Sequence, residues 1–243
     1  GLNVVAGWNK PEYDAFGIDL PSDHSDRYAM AQEWFDYVTQ LWKADSAFDW
    51  NGTFFRGKGV YGQPHPVQAR VPIINAASSE EGRAFAMRNA NFLFTPVFDF
   101  GQAQETVTDI KSKAQSVGRS VEVLTFCTVV CRPTQKEAED YLDWYANENA
   151  DWDAVDNLMT LQGMHAQSFT KEALAMFRDR FAAGHGGFPL VGTPDHIADQ
   201  LEQLSATGVA GTTLSFVDYA KEFPYFRQEV LPRLEAKGLR QPL

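Results

Sequence analysis

Three short stretches of this sequence gather side chains that could hold an anion or a polar ligand. The first is "GLNVVAGWNKPEY", where Asn3 sits inside an apolar run and Trp8, Asn9 and Glu12 follow a glycine. An Asn buried in a strand must satisfy donors and acceptors together, which either a polar ligand or neighbouring backbone can do. The second is "SDHSDRY", in which His24, Arg27 and Tyr28 open a helix whose free N–H groups and dipole favour an anion. Arg27 adds a permanent charge and Tyr28 a hydroxyl, although the same residues also suit an N-cap with surface charges. The third is "NAASSEEG". Its Ser78 and Ser79 could offer hydroxyls and backbone N–H groups to a phosphate, while Glu80 and Glu81 suit a helix start as structural residues.

A fourth stretch, "AGHGGFPLVGTP", reads as a glycine-rich loop that fits either a lid over a site or a plain connector. His185 within it could contact substrate or move a proton, or could simply be exposed. His65, His165 and His196 have no convergent neighbours in the sequence. Other chemistries find little support. There is no Gly-x-Gly-x-x-Gly after a strand, no Walker loop, no Gly-x-Ser-x-Gly elbow and no Cys/His set at zinc spacing, so no metal site is expected. The carboxylates are many, yet nothing singles out two of them as a glycosidase pair.

The elements that must position these residues alternate between strand and helix. Apolar runs at Leu2–Ala6, Val71–Ser78, Phe92–Thr95, Val121–Cys131 and Gly211–Val217 read as strands buried on both faces. Between Asp26 and Lys43, Ala31, Trp34, Phe35, Val38, Leu41 and Trp42 make the stripe of an amphipathic helix. Asn51-Gly52 between aromatic flanks signals a hairpin. Helices are expected after the second strand, over Gln102–Val117, through most of Thr134 to Ala183, from Thr193-Pro194, and after the fifth strand. Strands each followed by a helix imply a parallel α/β fold, in which function gathers at the C-terminal strand ends. Five strands suit an open sheet; a closed (β/α)8 barrel would need about three further βα units before Leu2.

Composition sets the outer limits. The 243 residues carry a formal net charge of -11 and 44% hydrophobic content, enough for a substantial core. Such acidity argues against nucleic acid or an anionic membrane surface as partner. No apolar run approaches the ~20 residues of a membrane span. Cys127 and Cys131 share one face of a predicted strand but lie ~13 Å apart, too far for a disulfide. They read as buried thiols in a reducing cytoplasm.

The order of segments is more specific than any one of them. "GLNVVAGWNKPEYDAFG", "HSDRY", "FDWNGTFFRGKGV", "PIINAASSEEGRAFA" and "LVGTPDHIADQL…GVAGTTLSF" follow in one series. This series resembles the bacterial luciferase-like, flavin-dependent monooxygenases, in the branch of dimethylsulfone, alkanesulfonate and pyrimidine monooxygenases, closest to the dimethylsulfone type. The resemblance implies a (β/α)8 TIM barrel with its first three βα units absent from this chain. Residues 1–243 would form one domain, with a helical insertion at about 149–191. It also implies a two-component enzyme using reduced FMN and O2 on a small sulfone or sulfonate, supplied by a separate NAD(P)H:flavin reductase, cytoplasmic and assembled as a dimer or tetramer. Asn3, Glu12, His24, Arg27, Tyr28, Ser78 and Ser79 would hold the cofactor, the last five around its ribityl phosphate. Trp8, His185 and the Gly186–Phe188 loop are candidates for substrate contact by their place at strand ends and in loops, not by a match to a family motif. The alternatives are a pyrimidine or aminopolycarboxylate monooxygenase of the same family, or a non-catalytic flavin- or F420-binding relative.

Overall fold

The computed structural model describes residues 1–77, 79–164 and 170–242, with the backbone alone for His24. The chain divides into two compact units, residues 1–94 with 111–122, and residues 95–110 with 123–243.

The first unit holds β1 (Leu2–Val4), α1 (Lys10–Ala15), α2 (His24–Lys43), β2 (Phe48–Asn51), β3 (Arg56–Val60), β4 (Ile73–Asn75), α3 (Glu80–Asn89) and β5 (Phe92–Phe94). β4 lies between β1 and β5, all parallel, with Asn3 opposite Ile74 and Ile74 opposite Phe92. The two strands that open βα units reach only three residues in regular geometry, shorter than their apolar runs. α2 starts at Asp23, whose carboxylate accepts the Ser25 N–H at 2.8 Å, and buries its apolar stripe toward α3. There Phe35 and Tyr28 both meet the ring of fully buried Phe85, at 6.1 and 6.0 Å between centroids. Burying such aromatic surface contributes roughly 1.5–3 kcal/mol per side chain.

The expected hairpin is present as β2 and β3, paired antiparallel. Its turn runs from Gly52 to Phe55, longer than a two-residue Asn-Gly turn, because Glu33 of α2 holds it open. The Glu33 carboxylate accepts the N–H groups of Thr53, Phe54 and Phe55 and the Trp50 indole N–H, at 2.8 to 3.3 Å. A Cβ on Gly52 would collide with that carboxylate. Burial acts to raise the Glu33 pKa, but these four donors outweigh it and hold the group below its ordinary value. Tyr37 of α2 stacks on Trp50 at 5.0 Å, completing the attachment.

The second unit is organised on one long strand. α4 (Phe100–Ser116) leads to β6 (Glu122–Cys131), and α5 (Gln135–Asp143), a π-helical turn (Trp144–Glu148), α6 (Trp152–Leu161) and α7 (Lys171–Gly184) follow. Then come β7 (Phe188–Gly192), α8 (Pro194–Ala206), β8 (Gly211–Ser215) and α9 (Tyr219–Ala236). Residues of α4 up to Ile110 belong to this unit and the rest to the first. β8 pairs with Leu124–Thr128 of β6 and β7 with Cys127–Cys131, both parallel. Val129, Leu190, Ile197, Leu204 and Phe226 are fully buried around them. α6 and α7 pack on each other through Val155, Met159 and Phe177, with Phe98 edge-on to Phe177 at 5.0 Å.

β7 corrects the expectation of a loose loop at Ala183–Pro194. His185 caps α7 in the left-handed region (φ 54°), and Gly186 and Gly187 are buried rather than mobile linkers. Gly187 must lack a side chain because the Thr128 hydroxyl and Phe126 ring occupy the space where a Cβ would sit. Pro189 is tolerated because β7 is an edge strand among the described residues, paired with β6 alone. Cys127 and Cys131 are free and buried, and burial pushes both thiols up to about 11. At neutral pH they are protonated and unreactive. Among the described residues no helix is long and apolar enough to cross a membrane, and no group of three His, Cys, Asp or Glu could hold a metal ion.

Candidate functional site

In the first unit the C-terminal ends of β1 and β4 face the N-termini of α2 and α3, and several predicted residues meet there. Ser79 caps α3, its hydroxyl accepting the Gly82 N–H at 3.2 Å. The Tyr28 hydroxyl bonds Ser79 and rests directly over Gly82, where any Cβ would clash with it and with Ala77. Burial raises the Tyr28 pKa, only partly offset by the Ser79 bond, so the phenol stays protonated and able to donate. Arg27, one residue earlier on α2, reaches back to β1, where its Nη1 donates to the Gly7 carbonyl at 3.4 Å. Its Nε is buried without a partner, as is the Nε of Arg83 in the first turn of α3. Gly7 itself has φ +89°, with the Tyr13 ring packed where its Cβ would be.

This arrangement can bind an oxyanion. It combines a helix start, a neutral hydroxyl pair and a guanidinium with an unused donor. Glu80 and Glu81 in the same turn oppose a bound anion, and Arg27 offsets them. The α2 N-terminus is the weaker half of the pair, because the Asp23 carboxylate already occupies it.

The other expected residues are placed as follows. Asn3 is exposed on β1 rather than buried, which corrects the argument from a buried strand amide. That argument applies instead to Asn75, which the sequence reading passed over. Asn75 is 1% exposed at the end of β4, its Nδ2 donating to Val4 O at 2.7 Å and its Oδ1 left without a partner. The signal was present in "PIIN", a polar residue closing an apolar strand. Glu12 is exposed and accepts the Asn9 side-chain amide at 2.7 Å, bracing the start of α1. Trp8 is 45% exposed just past β1. Ser78 and His165 lie outside the described residues, as does the side chain of His24. His185 belongs to the second unit, where its ring packs against Phe181 at 5.5 Å and its Nε2 lies 3.3 Å from the Gln162 amide.

The sequence profile of the luciferase-like monooxygenases matches residues 1–211. The chain belongs to that family. Within the luciferase-like monooxygenases, it is 30% identical to an FMNH(2)-dependent dimethylsulfone monooxygenase of Pseudomonas fluorescens, over 98% of this chain and 66% of that protein. A pyrimidine monooxygenase RutA of Yersinia enterocolitica is 27% identical over 98% of this chain and 66% of its own. Among solved structures, DmoA from Hyphomicrobium sulfonivorans superposes with a TM-score of 0.81 at 21% identity, covering 97% of this chain and 61% of that one. The parallel α/β fold thus matches luciferase-like TIM-barrel structures. The chain spans just under two-thirds of the length of these relatives.

Proposed function

We propose that this chain forms part of the oxygenating component of a two-component monooxygenase that uses reduced FMN and O2 on a small sulfone or sulfonate. Its support is the Tyr28–Ser79 pair at the start of α3, with Arg27 beside Tyr28 and bonded to Gly7 past β1, in a chain 30% identical to a dimethylsulfone monooxygenase. The residues present fit a ribityl phosphate, because the buried Arg27 Nε lacks a partner and the Tyr28 and Ser79 hydroxyls lie together at a helix start. Reduced FMN would supply the electrons and the activation of O2.

The chain's own residues bind and orient. Arg27 offers charge to the phosphate and Ser79 and Tyr28 offer hydroxyls, while the absent Gly82 side chain lets Tyr28 pack onto the helix start. Asn3, exposed on β1, and Trp8 beyond it would line the flavin and substrate side, with Glu12 holding that loop through Asn9. His24 and Ser78 complete the proposed phosphate contacts, and His185 the substrate contacts. In this reading residues 1–243 belong to one (β/α)8 domain, with 149–191 as an insertion and the remaining barrel units in the third of the relatives' length that this chain does not span. A separate flavin reductase, a cytoplasmic setting and assembly as a dimer or tetramer belong to the same proposal. The likeness to a pyrimidine monooxygenase at 27% keeps uracil on the substrate panel.

The test is anaerobic titration of reduced FMN, followed by O2-dependent turnover with sulfones, sulfonates and uracil. Arg27→Ala should weaken reduced-FMN binding about ten- to hundredfold, the scale of one or two charge-assisted contacts. Binding that is absent, or indifferent to Arg27→Ala and Ser79→Ala, overturns the proposal.

A further inference from the structure

The far end of α3 carries a second cluster that the proposed function does not use. Where α3 ends and β4 begins, the first unit has a cleft of about 350 Å³ lined by Lys43, Arg70, Arg88 and Arg119. This size is within the range of small-molecule sites. No Asp or Glu is among its lining residues, in a chain whose acidic side chains outnumber Lys and Arg by 32 to 21. None of the four cations has an ion pair among the described residues.

Two of the guanidiniums are held in place by backbone. Arg119 Nη2 donates to Ala90 O at 2.8 Å and Arg70 Nη2 to Asn89 O at 3.4 Å, so both cap the end of α3. This brings like charges together, and burial with the Arg70 charge pushes Arg119 below its ordinary pKa. The cleft is also lined by Phe35, Trp42 and Ile73. On its wall the Thr39 hydroxyl is buried without a partner. Converging unpaired cations, an orphaned hydroxyl and aromatic lining describe a receptor for an anion with an apolar part.

We propose that this cleft binds a small molecule carrying two or more negative charges, on phosphate or carboxylate groups, with an apolar ring or chain against Phe35 and Trp42. The guanidinium forks take the oxyanions, and binding relieves the repulsion between Arg70 and Arg119. The site is independent of the flavin reading, because it lies at the other end of α3 and uses none of the same residues.

Calorimetric titration of the full chain with pyrophosphate, citrate, inorganic phosphate and phenyl phosphate tests this. Pyrophosphate or citrate should bind, and the stronger of the two identifies the headgroup as phosphate or carboxylate. Phenyl phosphate should bind several-fold more tightly than inorganic phosphate. The double variant Lys43→Gln with Arg88→Gln removes two exposed charges without touching the α3 cap. It should lose about tenfold or more in affinity, while Arg27→Ala should leave affinity unchanged. Failure of both polyanions to bind overturns the proposal. So does binding that survives the double variant, or binding that is lost in Arg27→Ala, which would assign it to the opposite end of the helix.

Discussion

The two ends of α3 can both receive an anion, but by opposite means. At the N-terminus the backbone itself presents N–H groups beside the Ser79 and Tyr28 hydroxyls, with the Glu80 and Glu81 carboxylates in the first turn set against Arg83 and the Arg27 guanidinium from α2. At the C-terminus the backbone presents carbonyls, which draw Arg70 and Arg119 inward and keep them fixed. The first end therefore attracts an anion directly. The second attracts cations, and only through them an anion. Two anion-receptive places on one ten-residue helix thus need not share ligand, affinity or salt dependence.

The largest test of this contrast is at Gly82. A methyl there meets the Tyr28 hydroxyl and the Ala77 Cβ, so the helix start must shift. Gly82→Ala should cost about 1–3 kcal/mol in denaturant unfolding and abolish reduced-FMN binding. Pyrophosphate binding at the far end should persist in whatever fraction stays folded. Arg119→Gln is expected to act more weakly. It removes a charged bond to Ala90 but also removes the repulsion from Arg70, leaving a net loss of about 1 kcal/mol or less with weakened pyrophosphate binding. An equal effect of both substitutions on both ligands would erase the distinction between the ends.

The smallest effect concerns an anion that the chain supplies itself. Glu33 is held by three backbone N–H groups and an indole, as a bound anion would be. Its folded pKa lies below the ordinary 4.5, so its contribution is present above that value and lost as pH falls through the lowered one. Protection of the Thr53, Phe54 and Phe55 amides, taken relative to each amide's intrinsic exchange rate at the same pH, should therefore persist at neutral pH and fall as pH drops through the lowered Glu33 pKa. Exchange at the intrinsic rate already at pH 7 would show that the clamp does not persist in solution.

Most of the alternation of strand and helix was legible because fully apolar strands and a 3.6-residue stripe are strong local signals. The stripe from Ala31 to Trp42 and the Asn51-Gly52 hairpin are examples. β7 was not legible, since glycine and proline normally mark loops. There, glycine is required by the Thr128 side chain on a different strand, a contact that no local pattern encodes. The site was half legible. Arg27, Tyr28 and Ser79 carry their chemistry in their side chains and in their place at helix starts. Asn3 and Asn75 both interrupt apolar strands, and only burial separates them, at the strand end for Asn75 and in the open for Asn3. The cleft at the end of α3 was invisible, because Lys43, Arg70, Arg88 and Arg119 are scattered along the sequence and converge only through the fold.

The Glu33 clamp also makes α2 a mechanical element. Arg27 and Glu33 stand six positions apart on one continuous helix, ~9 Å along its axis at 1.5 Å per residue. One end of this short rod grips the mouth of β1, and its middle carries the β2–β3 hairpin through Glu33 and Tyr37. Whatever tugs on Arg27 therefore moves the hairpin as cargo, and whatever seizes the hairpin pulls back on Arg27.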